Sequence, residues 1–466
     1  MWRHAGPCLL LVIVLALSIS GCGGGGSNSP VPPPPPVDAV ERSLEAPLPT
    51  ALVETPAGSQ GVLLLEEMTN TPPATTLELR SFLDRVATWV ADHPNDSAGQ
   101  FAMILGLLKY AIDDLSDKLG YDLIKDVAGT SNLGPLELQQ LATGKKLQET
   151  FLGRDESALN VATKSLDTAQ VQATIRDTFL YVLFNSDSAH HGIIQRLEAI
   201  AALGGNSRLF QAHLGANRCG GYSSDFLAMS AGTRLLRAVL LTLISYNAED
   251  GNYDWHQPPW RTFEVGAAAT PAQYLPPDPF LTLRPDGDQY MNEAIADARL
   301  AAERLKQAVA AAASDPECLI RWALGEYGGT LGKISHQCDD VTRLLSTEGV
   351  TVTVQWECYA KCTWQPQPVI EDIQLHPAAL WDNPQSDFKD LFPTMHVQLV
   401  EGKKALRLLS ASDAPDLTFG GAFGAQNMDT LIEALFNPPG DEQRYTMVYR
   451  SPTGETYRFH LPLPTP

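Results

Sequence analysis

Between residues 75 and 119 the apolar side chains recur every three or four positions, and that spacing commits this part of the chain to packed helices. Phe82, Val86, Trp89 and Val90 fall on one helical face, opened by Thr75-Thr76-Leu77-Glu78. In that tetrad Thr75 is the expected N-cap and Glu78 the N3 residue, the two halves of a capping box. His93-Pro94-Asn95-Asp96 stops the helix. Asp96 or Ser97 then caps a second one, with its stripe at Phe101, Ile104, Leu105, Leu108, Ile112, Leu115 and Leu119.

The same reasoning predicts helices at about 135–151, 156–185, 190–203 and 223–247. The last is apolar from Phe226 to Tyr246, but Arg234 and Arg237 leave only Ala238 to Tyr246 uncharged, too short to span a bilayer. It reads as a buried core helix, with Ser223 or Ser224 as its cap after Gly220-Gly221. Met291, Ile295, Ala298, Ala302, Leu305 and Val309 give a helix over 289–313, and another follows at about 317–346. Residues 38–75 read as extended or irregular around the run Val62-Leu63-Leu64-Leu65.

After residue 348 the period changes to two. Val350, Val352 and Val354 alternate with Thr351, Thr353 and Gln355, as in a half-buried strand. The three residues between Cys358 and Cys362 read as a hairpin turn, and 395–409 as a further strand. Residues 444–450 and 456–461 flank the turn chemistry of Ser451-Pro452-Thr453-Gly454. The expected fold class is therefore mainly α, built of helical hairpins, with a smaller C-terminal β-containing region.

The chain has 466 residues, 44% hydrophobic and 19% charged, which is ordinary for a globular protein of two or three domains. Its formal net charge of −21 argues against nucleic acid as a partner, because phosphate contacts carry most of that affinity.

Arg3 precedes an uncharged, mostly apolar run from Leu9 to Ser20, the length of a signal-peptide core. Ile19-Ser20-Gly21-Cys22 then supplies an apolar residue, two small residues and a cysteine. This is a lipobox, and the segment resembles the start of a bacterial lipoprotein precursor. The resemblance implies cleavage before Cys22 and a diacylglycerol on its thiol. Several acyl chains on one cysteine would then anchor the protein stably in a membrane. Loss of residues 1–21 removes one Arg and no acid, taking the formal charge from −21 to −22. Gly23 follows the cysteine in place of the aspartate associated with inner-membrane retention, which favours the outer membrane if the host has two membranes. Gly23 to Ser29 and the prolines up to Pro36 read as a flexible and then stiff tether.

Pro94-Asn95-Asp96-Ser97-Ala98, followed by Leu105-Gly106, resembles the opening of a tetratricopeptide-type helix pair. The body is similar to bacterial lipoproteins that carry such helices. Phe280-Leu281-Thr282-Leu283, Asp390-Leu391-Phe392-Pro393 and Leu417-Thr418-Phe419-Gly420-Gly421 fit the same likeness. No 34-residue period recurs. The resemblance implies a helical-hairpin or tetratricopeptide-like stack with a concave partner surface, and it carries over no catalytic residue. The expected organisation is a signal peptide at 1–21, a lipid-anchored Gly/Pro linker at 22–38 and a helical domain at 39–250. A Pro/aromatic-rich connection at 251–285, a helical hairpin at 286–347 and a β-rich region at 348–466 complete it.

Cys219, Cys318, Cys338, Cys358 and Cys362 remain once Cys8 leaves with the signal and Cys22 takes the lipid. An oxidising envelope favours disulfides. The expected pairs are Cys318 with Cys338, on one helical hairpin, and Cys358 with Cys362, if these end facing strands. The rival arrangement, zinc held by His336, Cys338, Cys358 and Cys362, matches no strong spacing signature. His190-His191 are adjacent, so their rings diverge on a helix, and they read as surface or capping residues.

Asp250, Asn252 and Asp254 repeat the oxygen spacing of a calcium loop, but Trp255 replaces the turn glycine and Arg261 the bidentate glutamate. Asp286-Gly287-Asp288 is a second acidic turn. Tyr253, Trp255, Trp260 and Phe263 form a sequence-local aromatic group, read as a plug closing the helical domain. The catalytic motifs GxSxG, HExxH, Walker A and CxxC are absent from the sequence. Ser386-Asp387-Phe388-Lys389 matches SxxK, but between prolines and without companion motifs it reads as coincidence. The function expected is therefore a non-enzymatic binding or assembly role in the cell envelope, with no cofactor and with a protein partner. An envelope hydrolase of glycan or peptide is the alternative, and a calcium- or ligand-binding surface module the third reading.

Overall fold

The computed structural model describes residues 39–51, 54–119, 172–185, 189–204, 208–214, 217–249, 258–314, 331–360, 369–400, 402–407, 413, 418, 420–424, 444–450, 453–454 and 456–461. Of these, 59% are helical and 14% lie in strands of small sheets, so the fold is mainly α with a smaller β region.

The helical part begins with α1 (Ala39–Glu45) and α2 (Gln60–Asn70), both within the stretch expected to be irregular. Packing decides the matter. Val62, Leu64, Leu65 and Met68 of α2 are fully enclosed, and Ser59 caps its first turn. The capping box predicted at Thr75 is present at the start of α3 (Thr76–Asp92): the Glu78 amide donates to the Thr75 hydroxyl, and the Glu78 carboxylate accepts from the Thr75 amide. Leu79, Phe82, Leu83 and Val86 are completely buried along its inner face, each contributing roughly 1.5–3 kcal/mol. α4 (Ser97–Leu119) returns against α3 as a helical hairpin. Asp96 holds the corner, accepting from the Gly99 amide at 3.0 Å and from the Trp89 indole at 2.8 Å.

The expected helix over 156–185 is described only from residue 172, where Ile175–Leu180 form a π-helical turn running into Tyr181–Leu183; the one expected at 135–151 lies outside the described residues. α5 (Ile193–Gly204) is followed by an antiparallel hairpin, β1 (Arg208–Leu214) and β2 (Asn217–Tyr222). Gly220 and Gly221 are therefore strand residues. The Phe210 ring lies across Gly221 so closely that a Cβ there would sit 2.4 Å from it. The next helix, α6 (Ser223–Ser245), has Tyr222 as its N-cap rather than a serine, and Asp225 accepts from the Tyr222 amide at 3.1 Å. Ser223 instead donates to the Ala201 carbonyl.

By length and composition α6 could cross a membrane, but 67% of its most apolar window is buried inside the protein, in keeping with a core helix. Its longest partner is α7 (Gly287–Ala312), which lies along it. Side chains of α1–α4, the π turn, α5, β1, α6 and α7 share one hydrophobic core. α8 (Leu331–Leu344) packs on α7 through Val309, Ile334 and Cys338.

Among the described residues the β region holds two antiparallel sheets. One has the order β3-β6-β7, from Ala268–Ala269, Met395–Val400 and Lys403–Arg407. The single strand expected over 395–409 is thus a hairpin, turning at Gly402 with φ +77°. The other sheet has the order β5-β4-β8-β9. It is built from β4 (Val350–Ala360), β5 (Val369–Leu375), β8 (Arg444–Arg450) and β9 (Thr456–Leu461). β4 continues past Cys358, which pairs with Tyr445 of β8, to Ala360 with a register shift between the two, so Tyr359 and Ala360 are strand residues and not the expected turn. The stretch 281–284 joins the two parts. It bridges Tyr246 on one side and Asp387 on the other, and Trp381 donates to Thr242 of α6 at 2.9 Å.

Candidate functional site

Several residues singled out from the sequence lie outside the described residues: Cys22, Cys318, Cys362, Asp250, Asn252 and Asp254, with Tyr253 and Trp255 of the aromatic group. Cys358 is described only as backbone in β4. Cys338 is buried against Val309 and Ile334.

Asp286-Gly287-Asp288 is the start of α7, where acids favour the helix dipole. Trp260 and Phe263 are half-buried on and beside a 3-10 turn next to β7, where Lys404 donates to the Phe263 carbonyl at 2.5 Å. They flank the three-stranded sheet and do not plug the helical core. Ser386 is exposed, while Lys389 is buried and ion-paired with Asp278 and Asp387. The Lys389 ammonium is thus directed to Asp278 and Asp387.

Two buried charge clusters organise the helical part. In the first, Arg234 and Arg237 of α6 both bind Asp297 of α7. Arg234 also reaches Glu198 of α5 at 3.0 Å, Arg304 reaches Glu198 at 2.9 Å, and Arg237 binds Glu293 at 2.5 Å. Three guanidinium groups thus balance three carboxylates across α5, α6 and α7. Burial opposes ionisation of Glu198, but the hydrogen bonds and charges of Arg234 and Arg304 outweigh it and hold this carboxyl below its ordinary value. A general acid needs the opposite shift. The cluster is a helix-packing device, and it explains why arginines sit in the most apolar helix.

The second centres on Arg196 of α5, which is fully buried. Its guanidinium donates to the carbonyls of Ser43 at 2.7 Å, Ala46 at 2.6 Å, Leu44 at 3.3 Å and Pro47 at 3.4 Å. It also donates to the His191 carbonyl at 3.1 Å and to Gln100 Oε1 at 3.0 Å. A seven-residue helix such as α1 leaves its last carbonyls without intrahelical partners. Arg196 supplies them, with positive charge at the negative end of the dipole. Burial pulls its pKa down to about 9, so it remains charged at neutral pH. The His191 amide donates to the Leu44 carbonyl at 2.8 Å, closing the strut from the other side.

That strut fixes α1 against residues 190–192, and on its outer side three metal-ligating side chains converge. Glu41 and Glu45 are one helical turn apart on a face of α1 that adjoins the one carrying Val40 and Leu44. His190, in the loop before α5, places Nε2 at 2.8 Å from Glu41. The ligand atoms of Glu41, Glu45 and His190 all lie within 4.8 Å of one another. The Tyr181 hydroxyl sits 3.3 and 3.4 Å from the two Glu41 oxygens. His190 is not on a helix, as expected, but in the connection preceding one. Glu41 and Glu45 carried no sequence signal, because their partner is about 150 residues away and nothing periodic links them.

No protein-family model, curated protein or solved structure matches the chain.

Proposed function

We propose that the chain is a lipid-anchored cell-envelope protein whose folded body serves as a binding or assembly platform rather than as an enzyme. The observation that carries this reading is the lipobox Ile19-Ser20-Gly21-Cys22, followed directly by a Gly/Pro tether. That order is the one a lipid anchor, a spacer and then a folded body would have. If the host has two membranes, Gly23 directs the protein to the outer one. The buried charges have partners within the fold. Glu198, Glu293 and Asp297 are each held by arginine, and Lys389 by aspartates, so these groups stabilise the fold.

The reading is tested by replacing Cys22→Ser and fractionating cells. The variant is expected in the soluble fraction, with the wild type in the membrane. Retention of the variant in the membrane at wild-type levels would remove the main support for the anchor.

A further inference from the structure

We propose that Glu41, Glu45 and His190 form a binding site for a first-row divalent cation of the zinc class, at the solvent edge of α1. The inference is independent of the lipid anchor.

The donor set is one imidazole nitrogen and two carboxylates. Imidazole selects first-row transition ions over calcium, which takes oxygen ligands. Three protein ligands with the remaining coordination left to water is the pattern of an open zinc site. Glu45 is exposed, so the site faces solvent on its side. Tetrahedral zinc at about 2.0–2.1 Å from each ligand needs ligand atoms roughly 3.4 Å apart. The ligand atoms lie within 4.8 Å of one another, and the His190–Glu41 pair at 2.8 Å, so binding requires shifts on the scale of an ångström.

Two features separate this cluster from an ordinary ion pair. Glu45 breaks two local rules at once. It places a like charge at i,i+4 from Glu41, and it puts an acid in the last turn of a helix, where the dipole is already negative. The one imidazole of the cluster sits against Glu41. The basic residue of α1, Arg42, is engaged with Asp84 at 2.7 Å. A bound dication compensates both violations. The second feature is preorganisation. Arg196 and the His191 amide lock the backbone of α1 to the His190 loop from behind. The Tyr181 hydroxyl donates to Glu41, as the outer partners of metal-ligating carboxylates do.

The test is calorimetric titration of the metal-free full chain in detergent with ZnCl2, alongside Glu45→Gln and His190→Gln. The readout is the difference between wild type and Glu45→Gln, which cancels any zinc taken up by thiols elsewhere in the chain. The expected result is one saturable site whose affinity falls by about tenfold or more in either variant. In the absence of metal, the Glu45→Gln melting temperature should equal or exceed that of the wild type, because a repulsion has been relieved. Equal stoichiometry and affinity in wild type and Glu45→Gln would overturn the proposal. So would saturable binding of CaCl2 in place of ZnCl2.

Discussion

Arg196→Met removes a guanidinium and keeps a stem of similar length, so it isolates the strut under α1. Six acceptors lose their donor: the carbonyls of Ser43, Leu44, Ala46, Pro47 and His191, and Gln100 Oε1. A hydrogen bond from a charged donor is worth about 1.5 kcal/mol net of desolvation. The three short ones to side-chain or helix-end acceptors, Ser43 O at 2.7 Å, Ala46 O at 2.6 Å and Gln100 Oε1 at 3.0 Å, dominate. The net destabilisation is therefore about 4 kcal/mol, or a melting temperature lower by on the order of 10 °C. Differential scanning fluorimetry of the full chain in detergent measures it. Arg196→Lys should fall between the two, because an ammonium offers three donors and no planar fork. If Arg196→Met melted within about 2 °C of the wild type, the hydrogen bonds would be worth no more than the desolvation they offset, and the strut argument would fail.

The arginine–carboxylate cluster gives a pH prediction. The Glu198 carboxyl is held below its ordinary 4.5 in the folded state, so over that window the unfolded chain binds more protons. Its contribution is fully present at neutral pH and is lost as pH falls through 4.5 towards the folded value, read as a decline in melting temperature between pH 6 and 3.5. Glu198→Gln should be less stable than wild type at pH 7 and should lose less on acidification. An unchanged acid slope in that variant would assign the decline to other carboxylates.

Long periodic elements were legible in the sequence. α3 carried both its stripe and its capping box, and α4 its stripe and its corner at Asp96. The alternation in β4 and the turn residues between β8 and β9 sufficed for those strands. The misreadings share a cause. α1 is seven residues long, too short to display a period, and it is held by Arg196 from 150 residues away. α2 carries four consecutive apolar residues from Val62 to Leu65, a run that does not discriminate helix from strand. Gly220 and Gly221 resemble a helix entry because glycine is ambiguous, and only the Phe210 ring shows why a strand needs them there. The strand expected over 395–409 concealed its own turn for a related reason, since one glycine with positive φ was enough to reverse it. At the candidate site, His190 was visible as part of a histidine pair, but the two glutamates were not. Their meaning depends on tertiary packing that no local spacing encodes.

The central claim is that this body works by holding a partner at the envelope. In-cell crosslinking of the tagged full chain, followed by mass spectrometry of the captured proteins, tests it most directly. The account predicts reproducible capture of an envelope protein, with crosslinks from the body of the chain and not from the tether alone. A folded, abundant protein that captures nothing would contradict it.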